Sequence, residues 1–106
     1  MAKYLIKVSY SADGTKGLLK EGGSRRRSAV EQMIKGLGGK LEAFYFAFGD
    51  TDAIAIMDVP DAASAVAMGL TVNAAGAAHG SMTVLITPEE VDEASKKSVT
   101  YRPPGA

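Results

Sequence analysis

Residues 3–10 alternate between apolar and polar side chains, which is the period of a β-strand. The apolar positions are Tyr4, Ile6, Val8 and Tyr10. Because alternate side chains of a strand point to opposite faces, this pattern predicts a first strand with one face on the core. The four glycines in residues 11–24 predict a long loop with room for one helical turn.

A helical period begins after this loop. The apolar positions on one helical face are Val30, Met33, Ile34 and Leu37. Ser24 is predicted to cap the N-terminus, because a serine side chain can accept a hydrogen bond from the first helical turn. Gly38 and Gly39 are predicted to end the helix, since glycine readily adopts the left-handed conformation found after many helices.

Residues 40–59 have the pattern of a β-hairpin, with strands over 40–48 and 53–59 around a turn at 49–52. The first of these strands is apolar on both faces. One face holds Leu41, Ala43, Tyr45 and Ala47, and the other holds Phe44, Phe46 and Phe48. Contiguous apolar surface on a small domain is typical of an interface, so this strand needs cover on both sides.

A second, alanine-rich helix is predicted to follow Asp61, which can cap it. Residues 74–80 are then expected to form a loose connection before a last strand over 82–87. The segment Thr87-Pro88-Glu89-Glu90 has the pattern of a capping box and predicts a short charged helix to about Lys97. The residues of the alanine-rich helix expected to face the sheet are Ala62, Val66, Gly69 and Leu70.

The predicted fold class is α+β. The order strand, helix, strand, strand, helix, strand, with right-handed crossovers, places both main helices on one face of a four-stranded antiparallel sheet, as in ferredoxin-like folds. We expect a single domain over residues 1–98 and an extended or disordered tail over 99–106. The open sheet face is predicted to be apolar and covered by a second copy in a homo-oligomer, a dimer. The alternative cover is the terminal helix folded back over that face.

Composition excludes several classes of function. The chain has no cysteine and one histidine, so we expect neither a multi-histidine or thiolate metal centre nor a cofactor. Twelve basic and twelve acidic residues cancel, which argues against nucleic acid or an anionic membrane surface as a partner. The apolar stretch near the N-terminus is too short for a signal or a spanning segment, so a cytoplasmic protein is expected.

The run from Asp13 to Asp61 contains the motifs DGTKGLLKEGG, SRRRSAVEQ and GGKLEAFYFAFGDTDAIAIMDVPD. In these motifs the chain resembles the GYD-domain family of small bacterial proteins. The resemblance implies a ferredoxin-like domain of the α/β-barrel type that forms oligomers, and it implies no particular reaction. Gly49 and Asp52 match two residues that give the family its name, and Thr51 stands where the family has tyrosine.

The predicted topology gathers charged residues at one end of the sheet, where the first strand stops and the hairpin turns. The candidate ligand-binding residues there are Tyr10, Arg26, Arg27, Asp50 and Asp52. One interpretation is a site for a small anionic ligand, because free backbone N–H groups at a helix N-terminus and arginine side chains bind anions. The favoured interpretation is a surface cluster, in which we expect Arg26 or Arg27 to pair with Asp50 or Asp52, with His79 close by. The two aspartates could also hold a hard cation, although aspartates at a hairpin tip typically serve the turn itself.

Two functions of different classes follow from these residues. The first is an oligomeric module that binds a small molecule or serves assembly. The second is a cofactor-independent enzyme, of the oxygenase or isomerase type, that acts on a small organic substrate between sheet and helices. His79 would be its catalytic base. The sequence favours the first function, because no spacing places an activating partner beside the single histidine.

Overall fold

Within residues 2–106, which the computed structural model describes, four strands form one antiparallel sheet in the order β2-β3-β1-β4. The strands are β1 (Ala2–Tyr10), β2 (Lys40–Phe46), β3 (Ala53–Val59) and β4 (Ala78–Leu85). The helices are α1 (Ala12–Glu21), α2 (Gly23–Gly36), α3 (Ala62–Ala75) and α4 (Pro88–Ser95). The central strand β1 pairs with both β3 and β4, so the predicted α+β, ferredoxin-like class is confirmed.

The loop predicted over residues 11–24 is wrong, because this segment is almost entirely helical. The side chain of Ser11 accepts a hydrogen bond from the backbone N–H of Gly14 and caps α1. Gly22, with φ of 85°, separates α1 from α2, so it takes the capping position that was predicted for Ser24. A Cβ atom on Gly14 would overlap the carbonyl oxygen of Ala77. This glycine therefore permits a close approach of α1 to the chain before β4.

A bulge in β2 explains why this strand looked apolar on both faces in the sequence. The register against β3 shifts between Leu41 and Ala43, so the strict alternation expected from the sequence breaks there. Leu41 and Phe44 consequently both pack against the core, on the side of the sheet that the helices cover. The strand ends at Phe46, two residues earlier than predicted.

The capping of α3 is as predicted, but its buried face is different. The Asp61 side chain accepts a hydrogen bond from the backbone N–H of Ser64. Ala65 and Met68 are the buried residues of α3, and the side chains predicted to face the sheet at positions 66 and 70 are exposed. Apolar residues occur all around this helix, so the sequence carries no clear stripe to orient it.

The connection before β4 is shorter than predicted. α3 continues to Ala75 and ends at Gly76, whose φ of 80° is left-handed. β4 then begins at Ala78, whereas the last strand was predicted to begin at residue 82. His79 therefore lies in a strand and not in a loop.

The core lies between the sheet and helices α2 and α3. Its fully buried large side chains are Ile34, Met57 and Val59. Helix α2 packs against β2, and α3 packs against β4. Each helix therefore stands over one edge of the sheet, and the region above the central strands β1 and β3 is less tightly filled.

The C-terminal segment leaves the body of the domain. Thr87 and Glu90 form the predicted capping box at the start of α4, with reciprocal hydrogen bonds of 3.0 and 3.1 Å. Every residue from 88 to 106 is exposed, so α4 does not fold back over the open sheet face. The radius of gyration is 16.9 Å, whereas a compact chain of this length has one of about 13 Å. Within residues 2–106, no helix is both long and apolar enough to cross a membrane.

Candidate functional site

An apolar cavity of about 110 Å³ lies between the sheet and helices α2 and α3. Its floor consists of small residues on the strands, among them Ala53, Ala55 and Gly80. These residues leave space over the centre of the sheet because the two helices stand over its edges. The apolar side chains around the floor are Ile6, Val8, Val30, Met33, Phe44, Met68, Val72 and Met82.

Three polar side chains line this cavity: Tyr10, Arg26 and Asn73. They come from the last residue of β1, the first turn of α2 and the last turn of α3. The Oδ1 atom of Asn73 accepts a hydrogen bond from the backbone N–H of Gly80 at 3.0 Å. Nη1 of Arg26 lies 3.8 Å from Oε2 of Glu21, and both side chains are partly exposed. These polar groups gather at the end of the sheet where β1 stops and β4 starts.

Tyr10 is held at this end of the cavity by its backbone. Its N–H donates a hydrogen bond of 2.8 Å to Oδ2 of Asp52. Burial raises the pKa of the Tyr10 hydroxyl above its ordinary value. The positive charge of Arg26 opposes this shift, and the carboxylates of Asp52 and Glu21 add to it. The hydroxyl of this cavity-lining residue is therefore protonated at neutral pH and is a hydrogen-bond donor.

The ion pair predicted between the arginines and the hairpin aspartates is wrong. In the described part of the chain, Arg26 pairs with Glu21 and neither Arg26 nor Arg27 pairs with Asp50 or Asp52. Two physical causes account for this. The unpredicted helix α1 ends at Glu21 and brings that carboxylate to Arg26. The carboxylate of Asp52 instead accepts the hydrogen bond from the backbone of β1.

The remaining predicted site residues lie away from the cavity. Arg27 is exposed and lies over β2, near Phe44 and Tyr45, and it does not line the cavity. Asp50 is exposed in the hairpin between β2 and β3. Among the five candidate ligand-binding residues, the structure thus brings Tyr10 and Arg26 together in the cavity, with Asp52 bound to the backbone beside them. A ligand-binding role for the others stays a prediction.

His79 lies on the opposite side of the sheet. It pairs with Ser9 across β1 and β4, whereas the neighbouring pair of Tyr10 and Ala78 lines the cavity. Since successive side chains of a strand point to opposite faces, His79 belongs to the open face, where it is exposed. A catalytic role for His79 stays a prediction, but the structure does not place this histidine in the cavity between sheet and helices.

The family model for the GYD domain matches residues 4–95 of this chain. The chain belongs to the GYD domain family. The matched region runs from β1 through the end of α4 and includes every residue that lines the cavity, so the resemblance seen in the sequence is confirmed. A search of curated proteins and a search of solved structures found no match to the chain.

The open sheet face of this GYD domain carries a cluster of charges beside apolar residues. Lys3 donates hydrogen bonds to Glu42 and Asp58, and the bond to Glu42 is the main reason that the pKa of Lys3 is raised. The apolar residues follow the register across three strands, where Leu5 pairs with Ile56 and Ile56 pairs with Ala43. Tyr45, which pairs with Ile54, is exposed on the same face. No helix of the described residues covers this surface.

Among the polar residues that line the cavity of this GYD domain, Asn73 is the one that the sequence analysis did not predict. It is the only asparagine in the chain and lies four residues after Gly69, which also lines the cavity. Residues four apart share a helical face, so a polar residue in this position within an apolar helix was the available signal. The signal went unused because apolar residues occur all around α3, so its sequence did not show which face is buried.

Proposed function

We propose that this chain is a homodimeric domain that binds a small molecule in the apolar cavity. The cavity carries the proposal, because its walls are mostly apolar and its few polar side chains, Tyr10, Arg26 and Asn73, lie at one end. Small-molecule sites in proteins have this composition. A cavity of roughly 150 Å³ accepts benzene. The volume of about 110 Å³ therefore accommodates most of a single ring.

NMR spectra of the methionine methyl groups test this binding directly. Met33, Met68 and Met82 line the cavity, whereas Met57 is fully buried elsewhere in the core and serves as an internal control. With toluene or benzoate as probes, we expect saturable shifts at the three cavity methyls and a much smaller response at Met57. If neither probe shifts the cavity methyls, binding in this cavity is contradicted.

A substitution in the floor of the cavity provides an independent test. Ala55→Val adds two methyl groups to the floor and should weaken the binding of toluene at least several-fold. Ala63→Val adds the same groups to the exposed side of α3 and should leave binding unchanged. Equal affinities in the two variants would show that the probe binds at another place.

The homodimer is supported by two surfaces of the same chain that have no partner within its described residues. One is the open sheet face around Leu5 and Ile56. The other is the C-terminal arm, residues 86–106, whose exposed apolar side chains are Ile86, Val91, Val99 and Tyr101. A second copy can cover both surfaces at once, because in a twofold dimer the arm of each chain can lie on the open sheet face of the other. Helix α4 is rich in acidic residues, and Lys7 on the open face supplies a complementary charge.

Sedimentation equilibrium at micromolar concentration tests the assembly. We expect a species of twice the 11.0 kDa chain mass. Val99→Glu in the arm should shift the equilibrium toward the single chain. Leu19→Glu is the matched control, because Leu19 is 82% exposed and Val99 is 81% exposed, but Leu19 lies on α1. A parent protein that sediments only at 11.0 kDa, or two variants with equal effects, contradicts this dimer.

A further inference from the structure

The polar groups that line the cavity can all donate hydrogen bonds, and none of them is an acid. Arg26 has only donors, and the protonated hydroxyl of Tyr10 adds another. The Oδ1 atom of Asn73 accepts a hydrogen bond from the backbone N–H of Gly80, and the Nδ2 group of the same amide is a further donor. No aspartate or glutamate is among the described residues that line the cavity.

The charge of Arg26 is only loosely compensated. Its one ion-pair partner among the described residues, Glu21, lies 3.8 Å away, near the outer limit for such a pair, and both side chains are partly exposed. Pairs of this kind contribute little. The nearby carboxylate of Asp52 accepts a hydrogen bond from the backbone N–H of Tyr10. An anionic group beside Arg26 would gain charge-assisted hydrogen bonds, whereas a cation there would be repelled by the guanidinium.

We infer that the ligand of this cavity is a compact apolar monoanion, a carboxylate attached to a single ring or a branched hydrocarbon group. The carboxylate lies at Arg26, Tyr10 and Asn73, and the apolar group lies over Ala53 and Ala55. This inference rests on the proposed small-molecule binding and adds the charge and shape of the ligand.

The volume of the cavity and the location of its polar groups support a ligand that has both a small apolar group and a carboxylate. A volume of about 110 Å³ is too small for a nucleotide or another large phosphate ester. A bare inorganic anion would leave the apolar walls uncovered, because the polar groups occupy one end alone. A small apolar group with one carboxylate matches both features, because its apolar part can contact the walls and its carboxylate can lie at the polar end.

Three probes separate the contribution of the ligand's charge to binding from the contribution of its ring. Benzoate has the ring and the charge, benzamide has the ring without the charge, and acetate has the charge without the ring. By calorimetric titration we expect benzoate to bind about tenfold more tightly than benzamide, because its bonds to Arg26 are charge-assisted. We expect acetate to bind more weakly than either ring compound, because it buries little apolar surface.

Neutral variants of two neighbouring arginines complete the test. Arg26→Gln should lower the affinity for benzoate about tenfold and leave the affinity for benzamide nearly unchanged. Arg25→Gln is the control, because Arg25 is exposed on α2 and does not line the cavity. Thermal unfolding of both variants checks that they remain folded.

The outcomes distinguish this inference from the binding proposal on which it rests. If no probe binds, the proposed small-molecule binding fails. If benzamide binds as tightly as benzoate, or if Arg26→Gln and Arg25→Gln have the same effect on benzoate, the inferred negative charge is overturned although the cavity binds. If acetate binds as tightly as benzoate, the inferred apolar group is overturned.

Discussion

The carboxylate of Asp52 accepts a hydrogen bond from the backbone N–H of Tyr10, with 2.8 Å between Oδ2 and N. The backbone N–H of Asp52 in turn donates to the carbonyl oxygen of Val8, also at 2.8 Å. These two bonds attach the hairpin between β2 and β3 to the end of β1. They therefore hold the backbone of Tyr10 in place where its side chain lines the cavity.

Asp52→Ala should lower the free energy of unfolding by about 1–3 kcal/mol, because the backbone N–H of Tyr10 would lose its partner in a partly buried place. Urea unfolding followed by circular dichroism measures this change. Asp50→Ala is the control, since Asp50 is exposed in the same hairpin, and it should change the stability by no more than about 0.5 kcal/mol. Equal losses in the two variants would show that the Asp52 carboxylate has no special part in stability.

Gly14→Ala should destabilise the protein by about 1–3 kcal/mol, because the added methyl group would overlap the carbonyl oxygen of Ala77 and force α1 away from it. Gly17→Ala lies in the same helix with open space around it. That change should raise the stability by up to about 1 kcal/mol, as alanine is the better helix former. Thermal unfolding compares the two. A Gly14→Ala protein as stable as Gly17→Ala would contradict the close approach.

Phe46→Ala should lower the stability by about 1–3 kcal/mol, because this ring is partly buried on the helix-covered side of the sheet. It meets the ring of Phe44 edge-on, with 5.2 Å between the ring centres. It also lies against Gly23 at the start of α2. Phe48 is 86% exposed, so Phe48→Ala should change the stability by no more than about 0.5 kcal/mol. Chemical unfolding of both variants distinguishes the two rings, and similar losses would place them in similar environments.

Asp61 should make the stability of the protein depend on acid pH. Hydrogen bonds from the backbone and the side chain of Ser64 lower the pKa of the Asp61 carboxylate below its ordinary value of 3.8. A lowered folded-state pKa means that the stabilisation is present above the unfolded pKa. It is lost as the pH falls through the folded pKa.

The Asp61→Asn variant is the reference for this effect, because an asparagine side chain can cap the helix without titrating. Thermal unfolding from about pH 6 to about pH 2 should show the parent losing stability relative to the variant as the pH falls below the unfolded pKa. A constant difference between the two proteins over this range would show that the carboxylate is not stabilised in the folded state.

Much of the fold was determined by local patterns in the sequence. The strand over residues 53–59 was predicted with the bounds that the structure has, because its alternation is regular and Pro60 ends it. The caps at Asp61 and Thr87 were also predicted, since each cap joins groups only three residues apart. The sheet with two helices on one face followed from the order of the elements and the handedness of their connections.

The tertiary structure decided which side chains meet. The face that α3 buries and the bulge in β2 depend on packing between segments distant in the chain, so the periodicity of either segment alone could not determine them. The partner of Arg26 depended on α1, which forms although its glycines suggested a loop. Gly14 permits the close approach of this helix to Ala77, a contact between segments far apart in the chain. The sequence alone therefore placed Tyr10 and Arg26 at one end of the sheet. The cavity between them and Asn73 exists only once α2 and α3 stand over opposite edges of the sheet.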